Sequence, residues 1–113
     1  MLKESYLANL KNLPENAMKI HVYRPNLLSP SKELLWSYKL GKIDWKEYER
    51  RFRKQIIDNP KAMTQLGLIS TASKKRDVYL ICYEKYYPCH RFILIEMIKE
   101  LNNITKKLKS QTI

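Results

Sequence analysis

The stretch Asp77-Val78-Tyr79-Leu80-Ile81-Cys82-Tyr83 decides how this chain is read. It is the most apolar short run in the sequence, has the length of one strand, and is bounded by charge at Arg76 and Glu84. Uninterrupted apolarity over that length suits a strand covered on both faces, as in α/β proteins, better than one side of an open antiparallel sheet. A second strand is expected over Met18 to Arg24, where apolar and polar residues alternate and β-branched and aromatic side chains recur. Pro25 and Asn26 end it. With the two strands as parallel neighbours, Arg24 and Cys82 fall at their C-terminal ends, the edge outside which open α/β sheets bind ligands.

Between these strands the sequence predicts three helices. Ser29-Pro30 supplies a cap followed by proline in the first turn, and Leu34, Leu35 and Tyr38 give an apolar stripe that Gly41 stops. Asp44-Trp45-Lys46-Glu47 reads as a capping box opening a helix whose inner face is Trp45, Tyr48, Phe52 and Ile56. Asn59-Pro60 opens the third, running through Met63 and Leu66 to about Ile69. After the central strand, Pro88 is the expected start of a long helix with Phe92, Ile95, Ile98, Leu101, Ile104 and Leu108 at helical spacing and Lys106, Lys107 and Lys109 near its end. Ser5 to Leu13 is open between a short helix and an extended segment. The expected fold is therefore α/β: a small parallel, or mostly parallel, sheet with crossover helices and a long C-terminal helix. It forms a single domain over 1–113, with a core at about 6–101 and a basic end at 102–113.

The 113 residues include 44% hydrophobic ones, enough for a core rather than global disorder. No apolar run approaches the ~18 residues that span a bilayer, and Met1 to Ser5 lacks a secretory h-region, so a soluble cytoplasmic protein is expected. Two cysteines are too few for a disulfide scaffold. Lys+Arg 22 against Asp+Glu 11 leaves a net charge of +11, which favours an anionic partner such as a nucleotide or nucleic acid. Arg50, Arg51, Arg53 and Lys54 form the expected nucleic-acid surface, which in a non-catalytic interaction module would equally hold an acidic protein; the same cluster also reads as an ordinary solvated helix face.

Chemistry concentrates in Cys82-Tyr83-Glu84-Lys85-Tyr86-Tyr87-Pro88-Cys89-His90-Arg91, one strand-to-helix turn. Cys89 and His90 in a first helical turn would meet unpaired amides and the positive end of the helix dipole, which stabilise a thiolate or hold a phosphate oxygen. Arg91 and Arg24 would fork onto the same anion. Cys89, His90 and Glu84 are thus the candidate catalytic groups, as nucleophile, activating base and proton carrier. A metal is not expected, because six residues separate the thiols and adjacent Cys89 and His90 would both have to turn inward from a helix. A thiol redox pair has longer than the familiar Cys-x-x-Cys spacing. No cofactor is implied. Cys82 alone also reads as a small core residue.

These residues carry a resemblance. Tyr6-Leu7-Ala8-Asn9-Leu10-Lys11-Asn12-Leu13-Pro14, Ser29-Pro30-Ser31 before Glu33-Leu34-Leu35, Trp45 with Tyr48, and chiefly Leu80-Ile81-Cys82-Tyr83-Glu84-Lys85 followed by Cys89-His90-Arg91 resemble the family called domain of unknown function 488. The resemblance extends from about Tyr6 to Leu101. It implies a small α/β domain without an established activity, and carries over Arg24, Pro30-Ser31, Cys82, Glu84, Cys89, His90 and Arg91 as site positions. Of these, Arg24, Ser31, Cys82 and Arg91 are the expected ligand or phosphate contacts. The chain departs from similar sequences between Arg24 and Ser29, where they commonly have a longer loop containing Gly or Lys.

Overall fold

In the computed structural model, which describes residues 1–83, 85 and 88–111 and side chains through residue 104, three parallel strands carry four helices. The strands β1 (Leu2–Tyr6), β2 (Met18–His21) and β3 (Val78–Cys82) are ordered β1-β3-β2. The apolar run at 77–83 is thus the central strand, pairing Leu2 through Tyr6 with Val78 through Cys82 on one side and Met18 through His21 with Val78 through Ile81 on the other.

β1 is a strand that the residues themselves do not announce. Leu2-Lys3-Glu4-Ser5-Tyr6 has two charges and no β-branched residue, so its intrinsic preference for extended backbone is weak. The second edge of β3 recruits it, because the backbone groups of a central apolar strand need partners on both sides. A short 3₁₀ helix, Leu7–Asn12, follows directly, so the open segment Ser5 to Leu13 divides between strand end and 3₁₀ helix.

Alternation along the strands places Val78, Leu80 and Cys82 on one face, in register with Leu2, Glu4 and Tyr6 of β1 and with Met18 and Ile20 of β2. The helices α1 (Lys32–Lys39), α2 (Trp45–Ile57), α3 (Pro60–Ser73) and α4 (His90–Gln111) contribute Leu34, Phe52, Ile56, Leu66, Ile69, Ile93, Leu94 and Ile98 to the core shared with Val78 and Leu80. On the opposite face Ile81 is also fully buried, and the 3₁₀ helix packs against β1 and β3.

The caps explain where the helices begin and end. Asn59 accepts amide bonds from Lys61 and Ala62 ahead of Pro60, as its type and position demand. α1 starts later than Ser29-Pro30 suggests. Ser29 Oγ donates to the Asn26 carbonyl at 2.7 Å inside the turn after β2, and Ser31 caps the helix by accepting the Leu34 amide. The end of α1 is a Schellman turn: the Lys42 amide reaches the Ser37 carbonyl and the Gly41 amide reaches the Tyr38 carbonyl. Gly41 sits at φ +74 there, a conformation that costs a side chain about 1 kcal/mol or more.

At α2 the capping box is half made. Asp44 accepts the Glu47 amide at 2.8 Å, whereas the Glu47 carboxylate turns away to Arg50 and Arg51. Hydrogen bonds from Arg50, then Arg51, hold the Glu47 carboxyl down to about 2. A carboxylate whose folded pKa is depressed adds stability that is whole above its ordinary value of 4.5 and disappears as pH falls toward 2. Thermal melts of the wild type and Glu47→Gln are therefore expected to differ at pH 6 and to converge near pH 2. An unchanging difference across that range would show that Glu47 acts without its charge.

Candidate functional site

The site is built where β2 and β3 end. β3 delivers Cys82, and α4 begins at His90, two residues after Pro88, which leaves Cys89 just outside the helix with its carbonyl accepting the Phe92 amide. Freed from helical spacing, Cys89 turns inward together with His90; both are buried, as is Cys82. The geometric objection to these neighbours converging is thereby removed. Cys82 Sγ and Cys89 Sγ each lie 3.8 Å from His90 Nδ1.

The far nitrogen of His90 decides the near one. Nε2 is 2.6 Å from the Val22 carbonyl oxygen, which can only accept, so Nε2 carries the hydrogen and a neutral ring turns the lone pair of Nδ1 toward both sulfurs. Phe52 packs edge-on against the imidazole at 5.5 Å and limits its rotation. A hydrogen bond with the Cys82 thiol, and then burial, push the Cys89 thiol above the ordinary thiol range, while the Arg91 backbone amide opposes them. Two adjacent buried sulfurs cannot both ionise without a compensating positive charge. The group can pass a proton between sulfur and Nδ1, or bind a cation that displaces the thiol protons.

Above this floor is a cavity of about 270 Å³. Its walls are aromatic: Tyr23 and Tyr83 after the strands, Trp36 and Tyr38 of α1, and Trp45 and Tyr48 of α2. Trp45 and Tyr48 stack at 5.0 Å, Tyr38 meets Trp45 edge-on at 5.6 Å, and Tyr23 lies 4.2 Å from Tyr83. Arg24 and Lys39 line the cavity as its cations. Arg24 is exposed and makes no ion pair or side-chain hydrogen bond among the described residues.

The structure thus brings Arg24, Cys82, Cys89 and His90 together, at the strand edge where parallel sheets place ligands. It does not bring Arg91 or Ser31 there. Arg91 follows His90 round the helix to the β1 side, where its buried guanidinium donates to Glu4 at 2.6 Å and to the Lys85 carbonyl at 3.0 Å. A shared anion between Arg91 and Arg24 is therefore replaced by an internal ion pair. Ser31 is occupied as the cap of α1, its amide donating to Gln55 Oε1 at 2.9 Å. Glu84 lies outside the described residues, as do the side chains of Lys106, Lys107 and Lys109. The basic face of α2 is compensated: Arg50 and Arg51 pair with Glu47, Arg53 with Glu49, Glu96 and Glu100, and Lys54 with Asp58.

By sequence the tryptophans fit helix-face packing and most of the eight tyrosines fit core and rim, with several also able to stack bases beside the basic surface. The available signal is their clustering at 36, 38, 45 and 48, on two consecutive helices. Trp36 remains about half exposed, more than packing alone requires of a tryptophan.

Fold and site together define a small parallel α/β domain with a Cys-Cys-His group beyond the C-terminal ends of β2 and β3. A family model described as the active DUF488-N3 subclade matches residues 8–102, and the chain belongs to that family. No curated protein and no solved structure matches the chain.

Proposed function

We propose that this protein binds a mononucleotide-class ligand, a planar ring bearing phosphate, in the aromatic cavity. The observation that carries the reading is the placement of six aromatic side chains with Arg24, which has no ion-pair partner among the described residues, around one cavity above buried thiols. Aromatic walls accept a planar ring by stacking, worth about 1–3 kcal/mol per base, and a guanidinium meets phosphate through charge-assisted hydrogen bonds. At about 270 Å³ the space lies near the lower end of ligand cavities, roughly 300–1,000 Å³, which favours one nucleotide over a polymer segment. The subclade's description as active is in keeping with chemistry at the cavity floor.

Calorimetric titration with AMP, ADP and a short single-stranded oligonucleotide tests this. A mononucleotide should bind, Arg24→Ala should weaken it about 10–100-fold, and Trp36→Ala about 10-fold or more, since charged hydrogen bonds and stacking are of that order. Charge reversal at Arg50, Arg51 and Arg53 should leave it unchanged. Binding of the oligonucleotide alone, lost on that charge reversal and kept in Arg24→Ala, would overturn the proposal in favour of a basic interaction face.

A further inference from the structure

The floor of the cavity holds an arrangement that nucleotide binding does not require. Cys82 Sγ, Cys89 Sγ and His90 Nδ1 lie within 4.8 Å of one another, all three side chains are buried, and all three come from the strand-to-helix junction. Tetrahedral zinc bonds sulfur at about 2.3 Å and imidazole nitrogen at about 2.0–2.1 Å, so its ligand atoms stand roughly 3.5–4 Å apart. The two S···N separations of 3.8 Å already fall in that range.

Orientation supplies the independent observation. A metal-bound histidine characteristically donates its other ring N–H to a carbonyl or carboxylate, which fixes the tautomer and aims the ligating nitrogen. His90 does this through Nε2 and the Val22 carbonyl, at 2.6 Å. The Nδ1 lone pair is thereby directed at the two sulfurs, with Phe52 bracing the ring.

We propose that Cys82, Cys89 and His90 form a three-ligand site for a zinc-class divalent cation, with its fourth position open to the aromatic cavity. Two thiolates and a neutral imidazole are a borderline-soft donor set, suited to zinc and unsuited to magnesium or calcium. Coordination forms two metal–sulfur bonds and one metal–nitrogen bond and releases the two thiol protons to solvent, leaving the oxidation states of sulfur and metal unchanged. Three protein ligands with one open position are the pattern of catalytic rather than structural zinc. All three donors line the cavity, so the fourth position is available to water or to an oxygen of a bound molecule. The inference rests on the donor geometry and holds whether or not the cavity takes a nucleotide.

Titration of the reduced, metal-free full chain with Co²⁺, followed by displacement with Zn²⁺, tests it without any nucleotide. One equivalent of Co²⁺ should produce the intense visible bands of tetrahedral cobalt and the near-ultraviolet thiolate-to-cobalt charge transfer, and Zn²⁺ should abolish both. Cys89→Ser and His90→Ala should each weaken Zn²⁺ binding at least as much as the roughly 10–100-fold that loss of an outer-shell partner costs. Weak octahedral bands without charge transfer in the wild type would overturn the proposal. So would unchanged Zn²⁺ affinity in a Cys82→Ser/Cys89→Ser variant whose far-ultraviolet circular dichroism shows it folded. The wild-type spectrum decides even if the variants fail to fold.

Discussion

Glu4→Ala is expected to destabilise the fold by about 3 kcal/mol, since it removes one partner of a buried ion pair. Arg91 is among the largest fully buried side chains, at 1% exposure, and its Nε–H donates to Glu4 at 2.6 Å. The guanidinium also donates to the Lys85 carbonyl and lies 4.6 Å from the Phe92 ring, and both of these contacts are uncharged. For a domain of this size the loss amounts to roughly 10 °C in melting temperature. Arg91→Met should cost less than Glu4→Ala, because it fills much of the same volume without a buried charge and leaves Glu4, about a third exposed, able to take up water. Denaturant melts of the two variants check the order. Equal losses, or a larger loss for Arg91→Met, would show that the guanidinium contributes through its packing and carbonyl contact rather than through its charge pair.

The second large effect is expected at Phe52. Its ring is fully buried on the inner face of α2, stacked toward Tyr48 and edge-on to His90. Phe52→Ala removes apolar burial and opens a cavity under the site, at a cost of about 3–5 kcal/mol against a total stability of about 5–15 kcal/mol. Urea unfolding should show a lower midpoint with an unchanged slope. A loss well below 2 kcal/mol would mean that neighbouring core side chains collapse into the space, and His90 would then lose its brace with little penalty to the fold.

How far these features could be read in advance depends on how local their causes are. The central strand was legible because seven consecutive residues carry its signal, and the caps at Asp44 and Asn59 because a cap acts over three residues. β1 was not legible: its charges and lack of branching say nothing of the edge that recruits it. Arg91 was misplaced for the same reason, since Glu4, which takes it out of the site, stands 87 positions away. Cys89 and His90 stand out in the sequence as neighbouring thiol and imidazole, but their joint inward turn depends on where α4 begins. A start two residues later than Pro88 reverses the geometric argument against their convergence.

The strand order also governs when the site comes into being. Leu2 and Met18 both pair with Val78, across more than half the chain, so the sheet has no hydrogen-bonded ladder until β3 is available. The turns of α1, α2 and α3 form from neighbours in sequence, whereas the sheet waits on the closure of two long loops, the kind of ordering that slows folding. Cys82, Cys89 and His90 all lie on or after β3, and the Val22 carbonyl that orients His90 stands beside it only once β2 has docked. The Cys82, Cys89 and His90 floor therefore takes its shape only together with the sheet. Until then its thiols belong to an open chain and not to a site.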